Sequence, residues 1–534
     1  MNYKQYRIII SLFLAFTFSF SVSFSEGNIF QEIRKFSDVL NLANRNYVDS
    51  VNTNQLTEAA IIAMLKQLDP HSIYLPPKEK ENEEEQFRGN YPGVGIMFRM
   101  IKDTITVLVP IIGGESERIG IRCSDKIVTI NGENAVGIPM DSVPKLLKGP
   151  EGTKVSVSVQ RQGTPGMIPF TITRGPVPLK TIDACYILEG TDIGYIYLNK
   201  FAETTYFEFI KAAKELKAKG MKKLILDLRW NPGGIMTQAT AIIDEFIDGK
   251  KKILYTQGRR SDMSEDFYST PGGEFKDIPL VVLINYSSAS ASEIVAGAIQ
   301  DLDRGVIVGT TSFGKGLVQR QYPLEDGSAF RLTIARYYTP SGRCIQRDYS
   351  DRGKYYSMEG VTELKEGENF EHTGEQDTTR PHFKTSRGRI VLGGGGIVPD
   401  YVVSYDTIGN FASELLKQGV VTSVVDEYIL TNGNEIRKTY NKELDLFLKS
   451  FSIDDNIISM LKQKAEEKKV PWNDVAFAEE KEQIDRIIRV WITNYIWSTS
   501  NEFLEAYIRV KQIDKAIEMF PEAEKLAQLY RNAK

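Results

Sequence analysis

The sequence is poor in the residue types on which most hydrolytic sites depend. Its 534 residues include only three histidines and three cysteines. The cysteines, Cys123, Cys185 and Cys344, are odd in number and widely spaced, so we predict neither a disulfide framework nor a metal site built from cysteine pairs. None of the histidines lies in an apolar strand-and-turn context, and a histidine base beside a nucleophile is therefore not indicated.

An excess of one charge is also lacking. The chain carries 66 Lys and Arg against 70 Asp and Glu, for a net charge of −4, and 42% of its residues are apolar. This balance is typical of a globular protein with a large core and gives no reason to expect a nucleic-acid surface. The length exceeds one typical domain, so we expect three or four units.

The first 26 residues differ from the rest of the chain. They combine basic residues at Lys4 and Arg7, an apolar run from Ile8 to Phe20, and a small residue at Ser25. The run is shorter than the roughly 20 residues of a membrane span, and the pattern is typical of a secretory signal. We therefore predict a signal peptide over residues 1–25, cleavage near Ser25, and export to the periplasm or cell envelope.

The stretch from Leu280 to Gln319 is the most informative part of the sequence. Its opening run, Leu280 to Ile284, is apolar and β-branched, which predicts a strand covered on both faces. A helix is predicted to follow, since Ser292 stands just ahead of apolar positions at helical spacing. A second apolar strand, Gly305 to Val308, then leads into a glycine-bounded loop that carries Lys315.

A serine at such a strand-to-helix turn is well placed to act as a nucleophile. The backbone N–H groups in the first turn of the helix have no intrahelical partner and can receive an oxyanion. With no suitable histidine, lysine is the remaining candidate base, and Lys315 can act only when neutral. A short loop between two apolar strands favours the desolvation that lowers a lysine pKa, and Ser–Lys pairs are a known variant of the serine triad.

The same loop partly matches a phosphate-binding motif. Residues Gly309 to Lys315 satisfy the first seven positions of a P-loop, but Gly316 replaces the Ser or Thr that would hold magnesium. The residues that follow, Leu317 to Thr339, are predicted to form strand, turn and strand, whereas a P-loop needs a helix there. We therefore reject the nucleotide-binding interpretation.

A second glycine-rich turn follows the predicted strand at Lys223 to Leu228. It is formed by Trp230 to Gly234, and its two glycines permit a close approach of the backbone. We predict an oxyanion hole made by the N–H of Gly233 or Gly234 together with that of Ala291. For Asp227 and Arg229, a buried structural ion pair and a catalytic role both stay open.

The remaining patterns divide the chain into regions. Strands and helices alternate through the segment that contains both turns, which predicts an α/β core over residues 175–405. Short alternating segments separated by glycine turns predict a small β-rich domain over residues 88–174. Apolar residues at three- and four-residue spacing predict helical regions at both ends, residues 29–87 and 406–534.

Several of these motifs together resemble a known family. The run Ser288-Ala-Ser-Ala-Ser-Glu293, followed by Phe313-Gly-Lys-Gly316 and Gln319, is similar to the carboxy-terminal processing peptidases, which are serine peptidases with a Ser–Lys dyad. The resemblance implies that Ser290 is the nucleophile, that Lys315, 25 positions later, is its base, and that Gln319 supports the lysine. It also implies a crotonase/ClpP-like α/β peptidase core.

The resemblance extends to the β-rich region, which looks like an inserted PDZ domain. Its glycine loop matches the family's carboxylate-binding loop, and the peptide-binding positions fall on Gly93, Val94, Gly95 and Ile96. In such a loop successive N–H groups converge on the terminal carboxylate of a peptide that adds to a sheet edge. One departure is Ser124, which stands where the family has glycine.

These observations predict a secreted serine endopeptidase that recognises the C-terminal segments of protein substrates and cleaves through an acyl-enzyme. No cofactor and no nucleic-acid partner are expected. Homo-oligomerisation, peripheral membrane association and the role of the C-terminal helical region stay open. The alternative is a PDZ adaptor that binds peptides on a catalytically silent peptidase scaffold.

Overall fold

A computed structural model describes residues 28–356, 367–368, 380–440, 443–497, 499, 503, 507 and 510–532. These residues form two compact units, of which one ends at Tyr74 and the other begins at Leu75. The predicted signal peptide lies outside the described residues. None of the helices in the described ranges combines the length and apolarity needed to cross a membrane.

The N-terminal unit is helical, as predicted, but its helical pattern is interrupted. Helices Ile29–Asn46 and Thr53–Lys66 are each capped by an asparagine, because the side chains of Asn28 and Asn52 accept N–H groups from the first turns. A turn closes the second helix, where the Asp69 carboxylate accepts the backbone N–H groups of His71 and Ser72. His71 therefore lies in a locally bonded turn.

The centre of the larger unit is a seven-stranded sheet, and its five inner strands run parallel. The outer strand at each end is antiparallel to its neighbour. In spatial order the strands are Ile182–Ile187, Ile193–Leu198, Lys223–Asp227, Leu280–Ile284, Val306–Gly309, Tyr401–Val402 and Gly367–Glu368. The helices that connect or flank them are Thr205–Ala218, Met236–Asp244 and Ala291–Asp301. Strands and helices therefore alternate as the sequence predicted, and the core is of the α/β class.

A second, antiparallel sheet lies beside the core. Strand Leu317–Pro323 pairs with Ala329–Tyr338, which also pairs with Lys252–Gly258, and this strand pairs in turn with Glu265–Tyr268. The predicted strand, turn and strand after Lys315 are confirmed, so the loop that resembles a P-loop does not lead into a helix. Smaller elements complete the core: Pro77–Arg88, Ser261–Met263, Arg352–Tyr356, His382–Lys384 and Ile390–Leu392.

The β-rich region forms a separate sheet, which we call the β module (residues 90–178). Its strands in spatial order are Ile96–Ile101, Thr104–Pro110, Lys126–Ile130, Lys154–Gln160 and Met167–Thr173, with the short strand Glu133–Asn134 at one side. Helices Glu115–Arg118 and Val143–Leu147 and a helical turn at Met140–Ser142 pack against it. The two ends of the module pair with each other through Asn90–Gly93 and Gly175–Pro178, so the module is inserted through one narrow connection.

The C-terminal region, which we call the tail (residues 406–532), is helical. Its helices are Asn410–Lys417, Val420–Tyr440, Leu444–Ser450, Asp455–Glu467, Asp474–Trp497, Lys511–Glu518 and Phe520–Asn532. Two of its aromatic residues, Tyr495 and Trp497, are buried.

The tail supplies one of the two cores that cover the central sheet. In strand Leu280–Ile284, Val281 and Leu283 pack in a cluster that contains most buried apolar residues of the tail. The alternate residues of the same strand pack with helix Ala291–Asp301 on the opposite face. A strand buried on both faces was predicted here, and the tail is what covers the second face.

Candidate active site

Three loops that are distant in sequence meet at one edge of the central sheet. Strands Lys223–Asp227, Leu280–Ile284 and Val306–Gly309 are parallel neighbours, so their carboxyl ends lie side by side. The loops that leave these ends carry the predicted site residues, which are Gly233, Gly234, Ser290 and Lys315. This edge of a parallel sheet is where ligands commonly bind.

The three serines of the Ser-Ala-Ser-Ala-Ser run have different surroundings. Ser288 is fully buried, and its hydroxyl donates to the Leu228 carbonyl at 2.8 Å. Ser292 is also fully buried, and its hydroxyl donates to the Asn231 carbonyl at 2.9 Å. Ser290 alone of the three is partly exposed and lines a cavity. The two outer serines therefore join neighbouring loops, and Ser290 is the one that a substrate can reach.

Ser290 is held in an unusual backbone conformation. It precedes the first residue of helix Ala291–Asp301 and has a φ of 53° and a ψ of −111°. Positive φ is costly for a residue with a β-carbon, and the cost is of the order of 1–3 kcal/mol. The hydroxyl of buried Tyr337 lies 2.7 Å from the Lys315 carbonyl oxygen and 3.2 Å from that of Ser290. One side chain thus bridges the two predicted dyad residues.

The carboxylate of Glu293 joins the same two residues from the other side. Its Oε2 accepts the backbone N–H of Ser290 at 2.8 Å and that of Lys315 at 2.9 Å. Its Oε1 accepts the Ser312 hydroxyl at 2.5 Å and the Gly314 N–H at 2.6 Å. Complete burial raises the pKa of Glu293 to about 7, although these four donors oppose the shift. Glu293 therefore fixes the serine turn to the lysine loop.

The glycine turn packs directly against the serine turn. A β-carbon on Gly233 would lie 2.8 Å from the Ala291 nitrogen, so only glycine fits there. The side chain of Asn231 organises the turn, because its Oδ1 accepts the Gly233 N–H at 2.9 Å and its Nδ2 donates to the Leu198 carbonyl. No acceptor for the N–H of Gly234 is found among the described residues. Of the two glycines predicted as alternatives, Gly234 is therefore the one whose N–H has no competing acceptor there.

A cavity of about 620 Å³ opens between these loops and the second sheet. Its lining includes Ser290, Lys315 and Gln319, together with Gly233 and Gly234. Lys315 is half-buried. The Gln319 side chain follows a β-bulge, and its Nε2 is buried with no hydrogen-bond acceptor among the described residues. The cavity thus collects the predicted nucleophile, base and supporting glutamine on one surface.

Asp227 and Arg229 lie beneath the site rather than in it. Their side chains are completely buried and form an ion pair of 2.6 Å. The Tyr195 hydroxyl donates to the same Asp227 oxygen at 2.7 Å, and Arg229 donates to Gln512 of the tail at 3.0 Å. Neither residue of the pair lines the cavity, so the structural interpretation of this pair is the one that the geometry favours.

The predicted peptide-binding loop lies in the β module. The Ser116 N–H donates to the Val94 carbonyl and the Ile111 N–H donates to the Gly95 carbonyl, so both carbonyls point into the module. Because N–H and C=O point in opposite directions across a trans peptide, the N–H groups of Gly95 and Ile96 point outward. A pocket of about 140 Å³ adjoins this loop and is lined by Val94, Gly95, Ile96 and Leu147 among others.

Metal-ligating side chains do not gather at this site. Over the described ranges of the chain, no group of three His, Cys, Asp or Glu residues is placed to hold a metal ion. Of the histidines, His71 lies in the N-terminal unit and His382 on an exposed strand, while His372 lies outside the described residues.

Three sequence profiles match the chain. Residues 192–351, which contain all three site loops, match Peptidase family S41. Residues 20–79 match the N-terminal domain of the activating protease CtpB. Residues 411–498, within the tail, match a family of unknown function.

Individual proteins are also similar to this chain. The carboxy-terminal-processing protease of Bartonella bacilliformis is 37% identical over 326 residues, which cover 60% of this chain and 74% of that protein. Among solved structures, the photosystem II D1 C-terminal processing protease is 30% identical, with 58% of this chain and 89% of that chain covered and a TM-score of 0.33. The PDZ domain of the Vibrio cholerae carboxy-terminal protease, solved with a peptide, is 28% identical, with 17% and 99% covered and a TM-score of 0.16. The profile and the extent of the first match show that the chain belongs to the carboxy-terminal processing peptidases of peptidase family S41.

Proposed function

We propose that this serine peptidase is exported, binds the free C-terminus of a protein substrate through its β module, and cleaves the chain upstream by a Ser290–Lys315 dyad. The observation that carries the proposal is the placement of Ser290. It is the one partly exposed serine of its run, and it shares a cavity with Lys315 and Gln319. Export rests on the basic, apolar and small-residue pattern of residues 1–25.

In the proposed reaction, the neutral amine of Lys315 removes the proton from the Ser290 hydroxyl. The serine oxygen then attacks the carbonyl carbon of the scissile peptide, and the resulting oxyanion receives hydrogen bonds from the N–H groups of Gly234 and Ala291. The protonated Lys315 donates its proton to the leaving amine, which leaves an acyl-enzyme on Ser290. Lys315 then deprotonates a water molecule, which attacks the ester carbon. As the bond to the Ser290 oxygen breaks, Lys315 returns the proton to that oxygen, and both residues are regenerated. Gln319 lines the same cavity, and its amide oxygen is the atom that can accept an N–H of Lys315 and so orient the lysine.

Recognition of the substrate end is assigned to the loop at Gly93 to Ile96. The outward N–H groups of Gly95 and Ile96 suit a carboxylate. Strand Ile96–Ile101 follows the loop, and among the described residues it pairs on one side only, with Thr104–Pro110. A peptide can therefore add as a further strand at the open edge, with its last side chain in the adjoining pocket.

The direct test is cleavage of an unfolded substrate that ends in apolar residues. We expect the mature protein to cleave it without added metal or nucleotide, and the variants Ser290→Ala and Lys315→Ala to lose at least about 1,000-fold in kcat, as when the members of a catalytic unit are removed. Ser287→Ala is a matched control from the same loop, since its side chain is not part of the site, and should stay active.

The alternative, a peptide-binding adaptor, makes the opposite prediction. It would bind the substrate with equal affinity in the wild type and in Ser290→Ala, and neither form would produce fragments. Retention of cleavage by Ser290→Ala would also refute the assignment of the nucleophile. Recovery of the protein in the cell envelope tests export. Sequencing its N-terminus tests processing, because an intact Met1 would contradict cleavage near Ser25.

A further inference from the structure

The tail contacts the β module through a closed hydrogen-bonded triangle. One guanidinium nitrogen of Arg99, on strand Ile96–Ile101, lies 2.6 Å from Asp426 of helix Val420–Tyr440. The other lies 2.8 Å from the hydroxyl of Tyr495 on helix Asp474–Trp497. The Tyr495 hydroxyl donates to the second oxygen of Asp426, also at 2.8 Å. A strand of the module is thus tied to two helices of the tail at once.

A second contact involves the residue that departs from the family pattern. Ser124 stands where the family resemblance implies glycine. It adopts a positive φ of 68°, a conformation that is unfavourable for serine. Its hydroxyl donates to the Leu430 carbonyl of the tail. Next to it, buried Cys123 faces Gly433, where a β-carbon would lie 3.2 Å from the cysteine sulfur. The serine therefore provides a bond to the tail that glycine could not make.

A third contact lies close to the peptide-binding loop. The Arg437 guanidinium donates to the Pro110 carbonyl at 2.6 Å. Pro110 pairs with Ile96 across the module sheet, and its neighbour Ile111 donates to the Gly95 carbonyl. The tail therefore bonds to Pro110, which is the direct strand partner of Ile96 in the carboxylate-binding loop.

The tail is in turn anchored to the peptidase core. It covers one face of the central sheet, and the Gln512 side chain bonds to Arg229 beneath the glycine turn. Between module and core lies a groove of about 460 Å³, lined by Met97, Ile111 and Ile112 from the module and by Pro232 from the glycine turn. Pro232 also lines the Ser290 cavity. The groove and the Ser290 cavity therefore have one lining residue in common, Pro232.

We propose that Arg99, Asp426 and Tyr495 are specificity-determining residues, which fix how far from the C-terminus of the substrate the chain is cut. This inference rests on the proposed function. A substrate held at the module must run in an extended form to reach Ser290, and an extended chain advances about 3.3 Å per residue. A displacement of the module by that distance shifts the cut by one residue. A tail that holds the module in one place thus restricts cleavage to a narrow set of bonds.

The test compares cut positions in unstructured peptides that share one apolar C-terminus and differ in length. Mass spectrometry counts each cut from the C-terminus. The wild type should cut at one or two adjacent bonds, whereas Asp426→Asn and Tyr495→Phe should spread the cuts over several. Glu435→Gln removes an exposed carboxylate from the same tail helix and is the matched control, for which the wild-type pattern is expected.

Hydrogen exchange gives a readout that does not need catalysis. In the Ser290→Ala background, Asp426→Asn should speed amide exchange in strands Ile96–Ile101 and Thr104–Pro110 by roughly five- to tenfold, a modest effect because Arg99 is 38% exposed. Unchanged exchange in a correctly folded Asp426→Asn variant would overturn the proposal, as would unchanged cut positions. Absence of cleavage by the wild type would instead refute the proposed function, and this inference with it.

Discussion

The variant Glu293→Gln tests whether the alignment of the dyad depends on one buried carboxylate. Glu293 uses two oxygens to accept four donors, two of which are the N–H groups of Ser290 and Lys315. Glutamine keeps one oxygen and replaces the other with an NH₂ group, which cannot accept. The least damaging orientation turns the NH₂ towards Ser312, whose hydroxyl can then rotate and accept a hydrogen bond.

In that orientation the Gly314 N–H faces another donor and loses its acceptor. A buried N–H without a partner costs about 1–3 kcal/mol. If the whole cost falls on the catalytic arrangement, kcat decreases roughly 5- to 150-fold, since each 1.36 kcal/mol corresponds to a factor of ten. KM should change little, because Glu293 contacts backbone and Ser312 rather than the cavity.

The pH dependence of stability provides a second measurement. Burial raises the pKa of Glu293 from 4.5 to about 7 in the folded protein. The folded state therefore binds the proton more tightly than the unfolded chain, and this contribution to stability is present below pH 4.5 and is lost as the pH rises towards 7. Between these values the stability of the wild type should fall relative to Glu293→Gln by about 3 kcal/mol. Urea denaturation of both forms at several pH values measures the difference.

Steady-state kinetics on a peptide substrate and the two denaturation series complete the test. Glu325→Gln, in an exposed turn, is the control and should match the wild type in both assays. A Glu293→Gln variant with wild-type kcat would refute the positioning role. A stability difference that does not change with pH would refute the assigned titration.

Three further predictions address the turns and the module. Gly234→Ala should abolish activity and lower Tm, because the new β-carbon would lie 2.1 Å from the Phe201 carbonyl oxygen. The control is Gly249→Ala, since Gly249 also has a positive φ but has open space around it. This control should lower the free energy of unfolding in urea by only about 1 kcal/mol. Ser292→Ala should lower the free energy of unfolding by about 1–2 kcal/mol, because the hydrogen bond to the Asn231 carbonyl is lost. Its kcat should stay within tenfold of the wild type. Complete inactivation would contradict the structural role of this serine. A peptide that ends in a carboxamide should show a KM at least about tenfold higher than the same peptide with a free carboxylate, since a charge-assisted bond to the loop amides is lost, and equal KM values would refute carboxylate binding at Gly95 and Ile96.

Much of the catalytic region could be predicted because its signals are local. The run Leu280–Ile284 forms a strand with the bounds expected from its β-branched residues. The helix after it begins at Ala291, and the strand, turn and strand after Lys315 follow as predicted. In each case a short stretch fixes its own structure through residue type and periodicity, and such patterns are visible in a single sequence.

The site residues that the sequence did not predict form hydrogen bonds between segments that are far apart in the chain. Asn231 stands in the recognised glycine motif, but its side chain binds strand Ile193–Leu198 as well as its own turn. Tyr337 looked like an ordinary strand residue, yet it bridges Ser290 and Lys315. Glu293 stands in the recognised serine motif near a helix start, a position where acidic residues are common, and no role was predicted for it. Its bonds to the lysine loop depend on the sheet order, which one sequence does not reveal.

The tail shows the same limit on a larger scale. Its apolar spacing predicted helices, and these are found. The spacing of an amphipathic helix shows that a face is buried but not what it is buried against. Here the partner is the central sheet, whose strand Leu280–Ile284 was itself predicted to need cover on both faces. Two incomplete predictions in distant parts of the chain therefore described the two sides of one interface.

The strain at the site explains why so much buried polar structure surrounds a single serine. Two non-glycine positions in the adjoining turns, Trp230 and Ser290, have positive φ values of 65° and 53°. Conformations of this kind persist only where surrounding contacts over-determine them. Asn231 and Glu293 supply those contacts from within the strained turns themselves, because each accepts N–H groups that a regular helix or strand would have satisfied. Loss of either side chain should consequently relax the turn before the domain unfolds. In such a variant we expect activity to be lost at a lower denaturant concentration than the one that unfolds the central sheet.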